Sequence, residues 1–178
     1  PSEISEAGVE VLSHAGNLVQ YEIIEEALSR YDFETIEEGM IYRKRLAGLE
    51  WEADMPLVQE LFQMMRENDN ILDATLFVYY FQLNRAKREG ISKPDSTTFR
   101  NALKATKAAY DMGVKIGAGS DHMISTEENT INIHKELELL TVAGLSNFDI
   151  LRAATIINAE ALGAEKEIGT IEVGKIAN

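Results

Sequence analysis

The chain contains no cysteine. Disulfide frameworks and thiolate metal sites are therefore excluded, and a metal could be held only by His, Asp, Glu or a modified Lys. Basic residues are also short: 17 Lys and Arg stand against 30 Asp and Glu, for a formal net charge of −13. Nucleic-acid binding needs clustered cations, so this balance argues against a phosphate-backbone partner and against docking on an anionic membrane. Apolar runs fall far short of the roughly 18 residues of a membrane span. Internal repeats and low-complexity tracts are lacking, and no basic, apolar leader opens the chain. A chain that starts part-way through a longer protein would hide such a leader. The compartment is therefore left open, with the cytoplasm favoured over secretion or a periplasmic location.

What is present is enough for one domain. The 178 residues are 45% hydrophobic and 26% charged, an ordinary composition for a globular protein with a sizeable core. The run Gly8-Val9-Glu10-Val11-Leu12-Ser13-His14 reads as a buried strand ending in a His-Ala-Gly turn. Ile23, Ile24, Ala27 and Leu28 then fall at helical spacing. Residues 32–54 are charged and mixed and read as a helical surface insertion. Asp54 is expected to cap a helix carrying Leu57, Val58, Leu61, Phe62 and Met65, with Pro56 near its start. Residues 71–80 read as a second buried strand, and 90–96 as a loop in which Asp95 or Ser96 caps the next helix. That helix carries Phe99, Leu103, Ala105 and Ala109 and stops at Asp111-Met112-Gly113. A third strand, Val114-Lys115-Ile116-Gly117-Ala118, runs into Gly119-Ser120-Asp121. Helices around 129–143 and 147–162 follow, separated by Gly144-Leu145-Ser146, and the tail has the turn chemistry of a short β segment. Strands alternating with helices predict a parallel α/β arrangement. Three strands cannot close an eight-stranded barrel, and alone they would expose two apolar edges.

In parallel α/β folds, functional groups gather at the C-terminal ends of the strands. His14 is in that position on the first strand. Strict alternation puts it on one face with Glu10 and Leu12, opposite Val9, Val11 and Ser13. The bland alternative is a loop histidine with an ordinary hydrogen bond. Asp121 holds the matching position on the third strand, after a glycine-rich backbone that lets a ligand approach closely. An unpaired aspartate is costly to bury, which favours a metal or substrate contact over a simple helix cap. His122 is a weaker candidate beside it. Tyr79 and Tyr80, read as the end of the second strand, either line a pocket or pack as core aromatics. His134 lies within an amphipathic helix and is read as structural.

These residues carry a resemblance. Val9-Glu10-Val11-Leu12-Ser13-His14-Ala15-Gly16 resembles the sixth barrel strand of the amidohydrolase superfamily, and Gly117-Ala118-Gly119-Ser120-Asp121 resembles the eighth, with residues 71–80 as the seventh between them. The stretches His134 to Leu140, Ala143-Gly144-Leu145-Ser146, Leu151-Arg152-Ala153-Ala154-Thr155, Asn158-Ala159 and Ile168-Gly169-Thr170-Ile171-Glu172-Val173-Gly174-Lys175 are similar to the closing segments of its imidazolonepropionase-like and prolidase-like branch. Apart from 32–54 the resemblance covers nearly the whole chain.

The resemblance implies strands six to eight and the closing helices of a (β/α)8 TIM barrel over 1–167, with 168–178 starting the return into a small β domain. It implies one or two divalent metals, zinc being the expected ion, with His14 and Asp121 as ligands. Asp121 would also move the proton of an attacking water. The implied substrate is a small molecule or dipeptide cleaved at a carbon–nitrogen amide bond, and Tyr79, Tyr80 and His122 are its candidate contacts from their position alone. The family's other ligands, a first-strand His-x-His pair, a carboxylated lysine and a fifth-strand histidine, have no counterpart in this chain. The N-terminal part of the barrel is thus an implied partner, and a homo-oligomer is left open. Ala15 also stands where this branch usually has glycine. The alternative expectation is a catalytically inactive amidohydrolase-like fragment or binding module.

Overall fold

A computed structural model describes residues 10–30, 35, 38, 51–91, 96–121 and 132–176. Three short strands, β1 (Val11–Ser13), β2 (Ile71–Asp73) and β3 (Lys115–Gly117), form one parallel sheet in the order β1-β2-β3. Their register aligns Leu12 with Leu72 and Leu72 with Ile116. All three of these side chains are buried in the main apolar cluster, so this face of the sheet is the one covered by helices. The next row, Ser13, Asp73 and Gly117, lies on the opposite face at the C-terminal edge.

The helices are α1 (Ala15–Ser29), α2 (Pro56–Glu67), α3 (Leu76–Arg88), α4 (Thr97–Asp111) and α5 (Asn132–Ala143). A last helical stretch runs through α6 (Asn147–Arg152), a π-helical turn at Ala153–Ile157, and α7 (Asn158–Ala161). Helix α2 buries Val58, Leu61, Phe62 and Met65 of the stripe its spacing predicts, while Leu57 is only partly buried. Its cap differs from expectation. Met55 occupies the capping position without a side-chain bond, Pro56 is the first helical residue, and Asp54 lies outside. Proline fits there because the first helical amide needs no partner. Helix α4 begins after Ser96, whose side chain does not cap it; Asp95 lies outside the described residues. It stops as expected at Gly113, which adopts φ 82. The Gly113 amide donates to Tyr110 and the Val114 amide to Ala109, the paired bonds that end a helix and launch the following strand.

Residues 71–80 depart most from the expected strand. Only Ile71–Asp73 is strand, and the chain turns at Thr75 into helix α3. Leu76-Phe77-Val78-Tyr79-Tyr80 is rich in aromatic and β-branched residues, which favours a strand locally. Tertiary packing overrides that preference: Leu76, Phe77 and Tyr79 are buried along one helix face. The tail also departs from expectation, since described residues 168–176 form turns and no strand. The predicted insertion at 32–54 falls mostly outside the described residues, although Trp51 near its end is buried in the core. Among the described residues no helix is long and apolar enough to cross a membrane.

Candidate functional site

The strands run in the same direction, so their C-terminal ends place β1, β2 and β3 exits side by side. Each exit bends sharply. His14, Thr75 and Asp121 all have positive φ, at 67°, 49° and 42°. Side chains with a Cβ rarely adopt this conformation, and such positions cluster where surrounding structure over-determines the backbone.

Strict alternation, which would leave His14 on the face of Leu12, does not describe its placement. The strand ends at Ser13, and the left-handed turn at His14 reorients the ring. The turn is anchored by the His14 amide, which donates to the Asp73 carbonyl at 3.1 Å, and the His14 carbonyl starts α1 by accepting from Leu18 at 2.9 Å. In consequence His14 Nε2 lies 3.2 Å from Asp121 Oδ2. His14 Nδ1 lies 3.1 Å from the hydroxyl of Thr75. Both ring nitrogens therefore have a defined neighbour. The ring stands edge-on to Tyr79, centroids 6.3 Å apart at 88°.

Tyr79 and Tyr80 part company because they are adjacent on a helix. Tyr79 faces the turn from β1 into α1, and its hydroxyl accepts from the Asn17 amide at 3.2 Å. Burial pushes its phenol up to about 12. Tyr80 turns to the far side, against the Phe99 ring at 6.0 Å and under the Lys135 ammonium at 5.1 Å. His134 is exposed on α5. His122 lies outside the described residues.

Asp73, like Thr75, is a site residue that sequence reasoning missed. It ends β2 between the other two exits, and its Oδ2 accepts from Ser13 Oγ at 3.4 Å. Gly119 packs against the carboxyl so closely that a Cβ there would lie 2.6 Å from Asp73 Oδ2. Burial pushes the Asp73 pKa up, opposed by the Gly119 amide, the Ser13 hydroxyl and His14, while Asp121 adds to the rise. Among the described residues, Asp73 Oδ1 has no well-aligned hydrogen bond although it is buried. The signal was a carboxylate closing the apolar pair Ile71-Leu72, the same strand-end position that drew attention to His14 and Asp121. Running the strand on to Tyr80 concealed it.

The third exit is braced from behind. Asn158, on the closing helices, accepts from the Ala118 amide at 3.1 Å and donates to the Ala118 carbonyl at 2.9 Å. Gly117 leaves room for it, since a Cβ there would meet Asn158 Oδ1 at 3.1 Å.

The donor chemistry fits a divalent metal. An imidazole nitrogen and a carboxylate oxygen are ordinary zinc ligands, and two ligands of one tetrahedral ion sit about 3.3 Å apart. The His14–Asp121 separation of 3.2 Å matches that spacing. Among the described residues no group of three or more His, Asp or Glu side chains could hold a metal.

Residues 2–178 match the amidohydrolase family. The chain belongs to that family. Among solved structures it is similar to a Xaa-Pro dipeptidase with methionine bound in the active site, at 26% identity and a TM-score of 0.51, covering 79% of this chain and 35% of that one. It is also similar to a candidate prolidase from Bifidobacterium longum, at 26% identity and 0.52, covering 97% and 49%. An amidohydrolase matches at 20% identity and 0.55, covering 91% and 40%, which speaks to fold alone. No curated protein matches the chain. This amidohydrolase chain thus spans less than half of each of these structures.

Proposed function

We propose that the chain forms strands six to eight and the closing helices of a (β/α)8 barrel in a metal-dependent hydrolase that cleaves a carbon–nitrogen amide bond. On this reading the barrel portion covers 1–167, and 168–178 leads into a small β domain. The observation that carries it is the contact between His14 Nε2 and Asp121 Oδ2 at the C-terminal edge of a parallel sheet. The similarity to a Xaa-Pro dipeptidase favours a dipeptide over a cyclic amide as the substrate class.

A bound divalent ion, zinc being the expected one, would supply a water of near-neutral pKa and polarise the scissile carbonyl. His14 would give its Nε2 to that ion, with the ring fixed by Thr75 at Nδ1. Asp121 would accept the proton of the attacking water and hand it to the departing nitrogen. The Asp121 side chain is 56% exposed, so a substrate can reach it. Tyr79, edge-on to His14, would wall the pocket on the β1 side. The orientation of Tyr80 favours a packing role.

The test is metal content and Xaa-Pro dipeptide hydrolysis measured on the full-length protein. Stoichiometric zinc, with turnover lost by at least a thousandfold in Asp121→Asn (about 4 kcal/mol of barrier), is the expected result. A metal-free protein without turnover would favour the inactive-module reading instead.

A further inference from the structure

Glu136 lies in the middle of α5 and has no solvent exposure. Both of its oxygens are engaged across the fold: Oε1 accepts from the Leu76 amide at 2.9 Å and Oε2 from the Phe77 amide at 2.6 Å. These are the first two amides of α3, which have no partner within their own helix. A threonine at the capping position ordinarily turns its hydroxyl back to such amides. Thr75 occupies that position and makes no capping bond. Its hydroxyl is 3.1 Å from His14 Nδ1 instead. Thr75 is fully buried at φ 49 and ψ 40, a left-handed conformation unfavourable for a β-branched residue. Something other than local preference must hold this turn.

We infer that Glu136 is a positioning residue for His14: by capping α3 from a distant helix it fixes the turn at Thr75 and frees the threonine hydroxyl to orient the imidazole. The chain of contacts runs from Glu136 through the Leu76 and Phe77 amides to Thr75, then to His14 Nδ1, and leaves His14 Nε2 facing Asp121. A hydroxyl both donates and accepts, so Thr75 can hold the ring with either nitrogen protonated. Where metal is concerned, the inference rests on the proposed role of His14 as a ligand. Neighbours of ligating histidines typically govern metal affinity by about 10–100-fold.

The experiment uses the full-length protein with Thr75→Val, Thr75→Ser, Glu136→Gln and the milder Glu136→Asp. Two quantities are read: zinc affinity by competition with a chelator, and the nitrogen NMR shifts of the His14 ring without metal. Thr75→Val and both Glu136 variants should displace the ring shifts and weaken zinc binding by about 10–100-fold, while Thr75→Ser should restore both. Ring shifts unchanged in Thr75→Val and in Glu136→Asp would overturn the inference, even if Glu136→Gln failed to fold. If the wild type bound no zinc, the ligand role of His14 would fall, and the ring shifts alone would still decide whether Glu136 positions it.

Discussion

Replacing Gly119 by alanine isolates the contact that joins the second and third strand exits. Gly119 is not among the described glycines with positive φ, so the left-handed strain that disfavours alanine does not arise there. The cost is therefore steric. The added Cβ would lie 2.6 Å from Asp73 Oδ2, 2.7 Å from Oδ1 and 2.9 Å from Cγ. Contacts this short force one group to move, and the short aspartate side chain has little freedom to do so. It ends a paired strand and is held by the Ser13 hydroxyl. Overpacking of this kind costs about 1–3 kcal/mol, and displacing the carboxyl from its donors adds about 1 kcal/mol. The total, roughly 2–4 kcal/mol, should appear as a lowered urea midpoint. A double-mutant cycle sharpens the test. With Asp73→Ala as background the obstructing carboxyl is gone, and Gly119→Ala should cost less than about 0.5 kcal/mol. If Gly119→Ala costs the same in both backgrounds, the contact does not limit the position and the reasoning is refuted.

Glu136 should make stability depend on pH. Burial pushes its pKa up to about 7 from 4.5, against the pull of the Leu76 and Phe77 amides, and Asp73 adds to the rise. With the folded pKa raised, the native state holds the proton more tightly. The contribution is complete below about pH 4.5 and is lost as pH rises through about 7, some 3 kcal/mol in all. Melting curves across that window should flatten for Glu136→Gln relative to wild type; parallel curves would contradict the assignment. Asn158→Ala should cost about 1–3 kcal/mol by stranding both polar groups of Ala118, and hydrogen exchange at the Ala118 amide should accelerate; unchanged exchange would mean that another group takes over. Gly16→Val should also destabilise, by about 1–3 kcal/mol, because even a Cβ at Gly16 comes within 3.0 Å of Ala102 Cβ. A melting temperature equal to wild type would show that α1 can shift off α4 without cost.

The amphipathic helices were legible from the chain because burial follows helical period: Val58, Leu61, Phe62 and Met65 share a face whatever surrounds them. Helix ends marked by glycine were legible for the same local reason, Gly113 being free to take the left-handed turn. The strand positions were legible and their lengths were not. Leu76 to Tyr80 would suit either a strand or a helix by residue type, and tertiary packing of Leu76, Phe77 and Tyr79 goes with the helix, whose first amide is met by Glu136, sixty residues away.

By itself, the sequence determined the α/β alternation, the helix faces and the position of His14 and Asp121 at strand ends. Those features depend on residue type and short-range spacing. Only the tertiary structure decided which way His14 turns, that Asp73 stands between the strand exits, that Thr75 meets the histidine and that Glu136 meets the first amides of α3. Each of these depends on a left-handed turn or a buried carboxylate held by contacts distant in sequence. A left-handed threonine or histidine is locally unfavourable, so no local pattern announces it and only the assembled neighbours make it the stable choice.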